Sequence, residues 1–272
     1  MLKHALILSA VFVYPLQASL IIQAMTRDGL VVCGDRRMEN SATKTFDDTG
    51  HKIRRLGPAC GVWATGVLEL LEKVRDGFTP SFDFLTFTES WFRVHNCSDV
   101  LWDIEEFRKS LEGSLRQTLQ GSNSRPPVLV VNGKPILCNL TIFYRATKTT
   151  YSARDFVVNY PSQTDLSKLS VTVENIIAFI NVFGNAQVYA ELRDGKRKDF
   201  DRYRSEPIIK AVMPNLIRGE SMALPSELFA NFCHRLIEIT AERDDLPGMR
   251  KGAVSRTSEC VLLNNNGLNW ID

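Results

Sequence analysis

Apolar and polar positions along the chain alternate between the short runs of strands and the longer spacing of helices. Leu20-Ile21-Ile22 and Leu30-Val31-Val32-Cys33-Gly34 are apolar runs on either side of Arg27-Asp28-Gly29, a turn in which glycine is free to take positive φ. The two runs are predicted to pair as a hairpin. Val67, Leu68, Leu70, Leu71 and Val74 predict one face of a helix following Gly66. Val100, Leu101, Ile104, Phe107, Leu111, Leu115 and Leu119 predict a second, which ends before Gly121-Ser122-Asn123-Ser124 and Pro126-Pro127. Strands are expected over 128–131, 137–144 and 151–159, with turns at Asn132-Gly133 and near Lys148. Helices are expected near Gln187, over 208–216, and over 225–242 with Leu228, Phe229, Phe232, Leu236 and Ile239 inward. A hairpin closes the chain, Cys260 to Leu263 and Leu268 to Ile271, across Asn264-Asn265-Asn266-Gly267. Residues 194–204 carry both signs of charge and read as a solvated surface loop. With no internal repeat and no linker, the pattern alone supports an α+β fold in one domain.

Composition narrows the functional classes. Of the 272 residues, 44% are hydrophobic and 24% charged, enough to bury a sizeable core. A net charge of +2 argues against a nucleic-acid binder. The scattered histidines and the lack of any C-x-x-C leave no metal motif, and no cofactor is expected. The even number of cysteines permits disulfides, but buried free thiols are expected for most of the six.

Residues 1–18 have the layout of a secretory signal peptide: Lys3 before an apolar core, then Pro15 and a small residue at Ala18. The apolar run is too short to span a bilayer, and no later segment is long and apolar enough. The expected product is secreted or periplasmic. Read as a propeptide or a buried first strand, the same segment leaves a cytoplasmic location open. The sequons Asn96-Cys97-Ser98 and Asn139-Leu140-Thr141 matter only in a eukaryotic secretory pathway.

The chemistry gathers behind Ala18. Asp35-Arg36-Arg37 sets charge at the end of a buried strand, and Asp35 reads either as a loop acid paired with an arginine or as a functional group. The stretch from Ser19 resembles the start of a mature proteasome β-type subunit, a member of the N-terminal nucleophile hydrolases. The likeness is carried by Ser19, Asp28-Gly29, the strand Leu30 to Gly34, and Asp35-Arg36-Arg37, with Asp35 standing 16 positions after Ser19. His51-Lys52-Ile53-Arg54-Arg55-Leu56 and Val62-Trp63-Ala64-Thr65-Gly66-Val67-Leu68 follow in order at nearly ungapped spacing. The resemblance implies a four-layer αββα sandwich over 19–272, amide or peptide-bond hydrolysis, and a homo-oligomeric ring like those its relatives form, with a monomer the alternative for a secreted version.

It also implies roles. A serine hydroxyl needs a base within reach, and a first-residue serine has its own α-amine, present only after cleavage ahead of Ser19. Lys52 would favour the alkoxide, Asp35 would hold Lys52 charged and oriented, and Arg37, the last residue of the Asp-x-Arg motif, would be a supporting residue. Gly66 N–H, at the start of the expected helix, would face the oxyanion. The match is weaker at Phe183 to Ala190, where Asn185 stands in a region the family fills with serines. It is weaker again at Glu242-Arg243-Asp244, where Asp244 would sit near the α-amine, or is an ordinary charge at a helix end. Pro247-Gly248-Met249 replaces the family's Ser-Gly-Gly. Two other readings stand beside this one: a catalytically inactive assembly or binding module of the same fold, and a secreted protein of unrelated fold with chance spacing. The expected partner is a peptide or small amide, without nucleic acid.

Overall fold

The opening hairpin pairs β1 (Leu20–Met25) with β2 (Leu30–Asp35), Ile22 opposite Cys33 and Met25 opposite Leu30. Its turn serves a second purpose. The Asp28 carboxylate accepts the Ser226 N–H at 2.8 Å, so a residue far away in sequence caps a helix whose own preceding residue, Pro225, offers no side-chain acceptor. This computed structural model describes residues 19–39, 46–74, 77–95, 104–122, 125–126, 128–131, 133–176, 180–246, 249 and 251–271. Residues 1–18, expected to be a signal peptide, and Val100, Leu101, Asn132, Pro247-Gly248 and the sequon asparagine Asn96 lie outside them.

The chain is an α+β fold with antiparallel sheets. In the first sheet β1 and β2 are flanked by β13 (Ile180–Gly184) on one side and by β14 (Ser258–Asn264) and β15 (Gly267–Ile271) on the other, in the order β13-β1-β2-β14-β15. The second runs β12-β11-β10-β6-β5: Ser170–Ile176, Tyr151–Asn159, Lys134–Arg145, Cys60–Gly66 and Ile53–Gly57, with β9 (Leu129–Val131) on the far end of β10. Two small ladders stand apart, β3 (Met38–Glu39) with β4 (Phe46–Asp47) and β7 (Glu69–Val74) with β8 (Gly77–Asp83).

Alternation along the strands sorts the apolar residues into three clusters. Leu20, Ile22, Val31 and Cys33 face α3 (Gln187–Asp194), α5 (Pro207–Ile217) and α6 (Ser226–Glu242). Val62, Leu140, Ile142, Phe156 and Val158 on the second sheet face α1 (Phe84–Val94) and α2 (Ile104–Gly121). Ile21, Leu30, Val32 and Val261 on the first sheet meet Ile53, Trp63, Phe143 and Ala153 on the second. Both faces of β1 and β2 are therefore covered, which is why they read as unbroken apolar runs. Gln23, fully buried in β1, accepts the Trp63 indole N–H at 3.1 Å and ties one sheet to the other.

Three local expectations are corrected. Residues 69–74 form a strand, not a helix: the run is short, and Asp76-Gly77 just beyond it is a hairpin signature. The first helix comes later, at Phe84, where Asp83 accepts the Thr86 N–H at 2.7 Å. Residues 198–204 are helical, a single 3-10 turn followed by α4 (Asp201–Arg204), because Phe200 and Tyr203 are buried between the charges. Cysteine use is the third. Cys33 and Cys260, directly opposite on β2 and β14, form a disulfide, and Cys60 is also disulfide-bonded, while Cys138 and Cys233 are buried free thiols. Because the Cys33–Cys260 link joins residues 227 apart, replacing both by alanine is expected to lower unfolding stability by about 2–5 kcal/mol. Denaturant titration checks this, and an unchanged midpoint would mean that the native protein does not depend on the link. Among the described residues no helix is long and apolar enough to cross a membrane.

Candidate active site

Asp35 ends β2 and is completely buried. One carboxylate oxygen accepts the Leu20 N–H at 2.7 Å and the Lys52 ammonium at 2.9 Å; the other accepts the N–H groups of Arg37 at 3.1 Å and Ser255 at 3.4 Å. Lys52 and the residue following Ser19 thus share a single oxygen atom, so the ammonium lies within two hydrogen-bond lengths of the Leu20 amide. Lys52 is 1% exposed. Burial pushes its ammonium below the usual lysine range, and the Asp35 carboxylate opposes that shift without cancelling it.

Sequence reading missed Glu259. One of its oxygens accepts the N–H groups of Lys52 at 2.8 Å and Ile53 at 3.0 Å, and the other bonds His51 Nδ1 at 2.7 Å. It fixes the backbone carrying Lys52, and its charge favours the ammonium. No local pattern marks it: it is one acid ahead of the apolar run Cys260 to Leu263 within β14, brought beside Lys52 only by the fold.

Ser19, 7% exposed, lines a cavity of about 380 Å³ between the two sheets. Its carbonyl accepts the Asn185 N–H at 3.0 Å. Gly184 beside it has φ of +84°, and a Cβ there would run into the Ser19 carbonyl, so only glycine allows β13 to approach so closely. The Asn185 side chain is buried, and neither of its amide atoms has a hydrogen-bond partner among the described residues.

Gly66 also lines the cavity, but at the end of a strand rather than at a helix start. Val67 N–H donates to Leu137 O at 2.9 Å, which makes Gly66 and Cys138 a non-hydrogen-bonded pair and turns the Gly66 N–H away from β10. On that side the β5–β6 pairing reaches only as far as Ile53 opposite Trp63. The amide is directed by the ladder, without any helix dipole.

Arg37 and Asp244 grip one loop. The Arg37 guanidinium forms a two-point pair with Asp48 at 2.6 and 2.7 Å and donates to Gly252 O at 2.6 Å, while Asp244 accepts the Gly252 N–H at 3.0 Å. Ser255, three residues on, is the residue whose N–H reaches Asp35. Arg37 thus supports the site through its backbone N–H on Asp35 and through this loop. Asp244 is half-buried and does not line the cavity. Asp155, on the inner face of β11, does line it; a lone acid between inward Ala153 and Val157 was its signal in the sequence. The Asn139 sequon faces the same space, with Asn139 Oδ1 and Thr141 buried. The chain matches no protein-family model and no curated protein.

Proposed function

We propose that the chain is an amide or peptide-bond hydrolase of the proteasome-like N-terminal nucleophile type, with Ser19 as nucleophile once cleavage has exposed it. The observation that carries this reading is the chain of contacts from the cavity wall inward: Ser19 at the cavity, Leu20 N–H on Asp35, and Asp35 on a fully buried Lys52. The order of the apolar clusters, helices against sheet, sheet against sheet and sheet against helices, supports the four-layer αββα sandwich. The disulfides are compatible with a leader that directs the chain to an oxidising compartment.

In this mechanism the Ser19 hydroxyl attacks the amide carbon while its proton passes to the α-amine, with Lys52 stabilising the developing alkoxide. The Gly66 N–H stabilises the oxyanion. The carbon–nitrogen bond breaks, the departing amine takes up the proton, and water releases the acyl group from Ser19.

One observation favours the inactive-module reading: the Asp244 carboxylate is engaged by the Gly252 amide. A single experiment separates the two. Intact mass of the purified protein should give a chain beginning at Ser19, and a serine- and threonine-directed electrophile should add one label there. Ser19→Ala should abolish labelling and lower amide hydrolysis at least about 10³-fold. A chain that begins at Ser19 and takes no label is a binding module.

A further inference from the structure

We infer that the cavity beside Ser19 receives a cationic side chain of the substrate, an alkylammonium or guanidinium, against the carboxylate of Asp155. This names the substrate class of the hydrolase proposed above and rests on that reading for the position of the scissile bond. The inner face of the second sheet changes character along its length. Near Phe143 and Ala153 it is apolar and closed against the first sheet. Farther toward Ser19 the rungs turn polar: Thr141, Asp155 and Glu174 lie side by side across β10, β11 and β12, followed by Asn139, Val157 and Thr172.

Asp155 is 5% exposed, and among the described residues its one hydrogen-bond donor is neutral, the Thr141 hydroxyl at 3.1 Å. Among the described residues no lysine, arginine or histidine forms an ion pair with it; Lys134 instead stands 3.9 Å from Glu174 at the exposed rim. A buried carboxylate without a counter-charge is costly, and folding alone gives no reason to keep one on a cavity wall. Asn139 Oδ1, of a residue lining the same cavity, is buried with no donor among the described residues. A pair of underused acceptors with a second carboxylate at the rim complements a cation carrying several N–H groups. The apolar positions Val157, Val182 and Ile136 suit the methylene stem such a cation carries. Burial pushes the Asp155 carboxyl up to about 7; the Thr141 donation opposes this and the Glu174 charge adds to it, as expected for a group waiting for a positive partner.

The test pairs two ligands of one shape, N-benzoyl-arginine amide and N-benzoyl-citrulline amide, which differ in the charge of the side-chain head. Calorimetry on the Ser19→Ala chain gives affinities without turnover, and kcat/KM on the wild type gives the ratio during hydrolysis. The arginine ligand is expected to bind at least 10-fold more tightly, the ratio falling toward unity in Asp155→Asn and falling partway in Glu174→Gln, whose site is on the surface. Equal affinities in a chain whose Ser19 takes the electrophile overturn the cation site and leave the hydrolase standing. A charge preference that depends on Asp155, in a chain whose Ser19 takes no label, retains the cation site and removes the hydrolase. A preference that survives Asp155→Asn in folded protein also overturns the inference.

Discussion

Lys52→Met is expected to slow amide hydrolysis about 10²–10⁴-fold and to lower unfolding stability by about 3 kcal/mol. The two effects have different causes. Asp35 and Lys52 are 0% and 1% exposed, so removing the ammonium leaves a carboxylate in the interior whose remaining donors, among the described residues, are the N–H groups of Leu20, Arg37 and Ser255. Those three donors set the loss toward the low end of the range for a broken buried pair. The rate effect follows from the proposed mechanism, in which the developing alkoxide at Ser19 loses the positive charge that Lys52 supplies. The double variant Lys52→Met/Asp35→Asn separates them. Removing both charges should restore part of the stability, because no unpaired ion remains although the NH2 group introduced by Asp35→Asn cannot accept the N–H groups that one carboxylate oxygen accepted, while hydrolysis stays low. Chemical denaturation and kcat measured on the same preparations check both. Recovery of hydrolysis along with stability would mean that the pair merely holds the strands together, and the role given to Lys52 would fall.

How much of this was legible beforehand follows from the range of the interactions involved. The β1–β2 hairpin, the strand Tyr151–Asn159 and the helix after Pro225 are written in local spacing and turn chemistry, and they fold where that spacing puts them. Phe84–Val94 was not legible because Phe, Thr and Trp suit a strand equally well; its buried positions, Phe84, Leu85, Thr88, Trp91 and Phe92, become a helical stripe only with Asp83 as its cap. β12 and β13 were missed for another reason. Ser170–Ile176 is half-exposed and carries Glu174 and Asn175, and its strand character comes from pairing with β11. The group Ser19, Asp35 and Lys52 was nameable because a resemblance supplied the spacing. Glu259 and Ser255 enter from more than 200 residues away, and nothing local to them marks a site.

The buried acid of the cavity has the second large effect, and it is one of pH. With its carboxyl raised from 3.8 to about 7 in the folded chain, Asp155 keeps its proton over a range in which the unfolded chain has already released it. Below about pH 4 both states are protonated and the group is neutral toward folding. As pH rises from 4 to 7 the unfolded state is favoured progressively; above 7 both states are ionised and the penalty is complete, on the order of 4 kcal/mol. Asp155→Asn keeps an oxygen for the Thr141 hydroxyl and has no charge to bury, so it is expected to be the more stable chain at pH 8, by roughly 10 °C in Tm, and nearly equal to wild type at pH 4. Thermal melts of both chains at the two pH values decide it. A constant difference between them would show that Asp155 is not buried as a lone acid. The same linkage runs through the ligand: a cation seated against Asp155 lowers its pKa, so the stabilisation conferred by the arginine amide should grow as pH rises through 7, and Asp155→Asn should remove that growth.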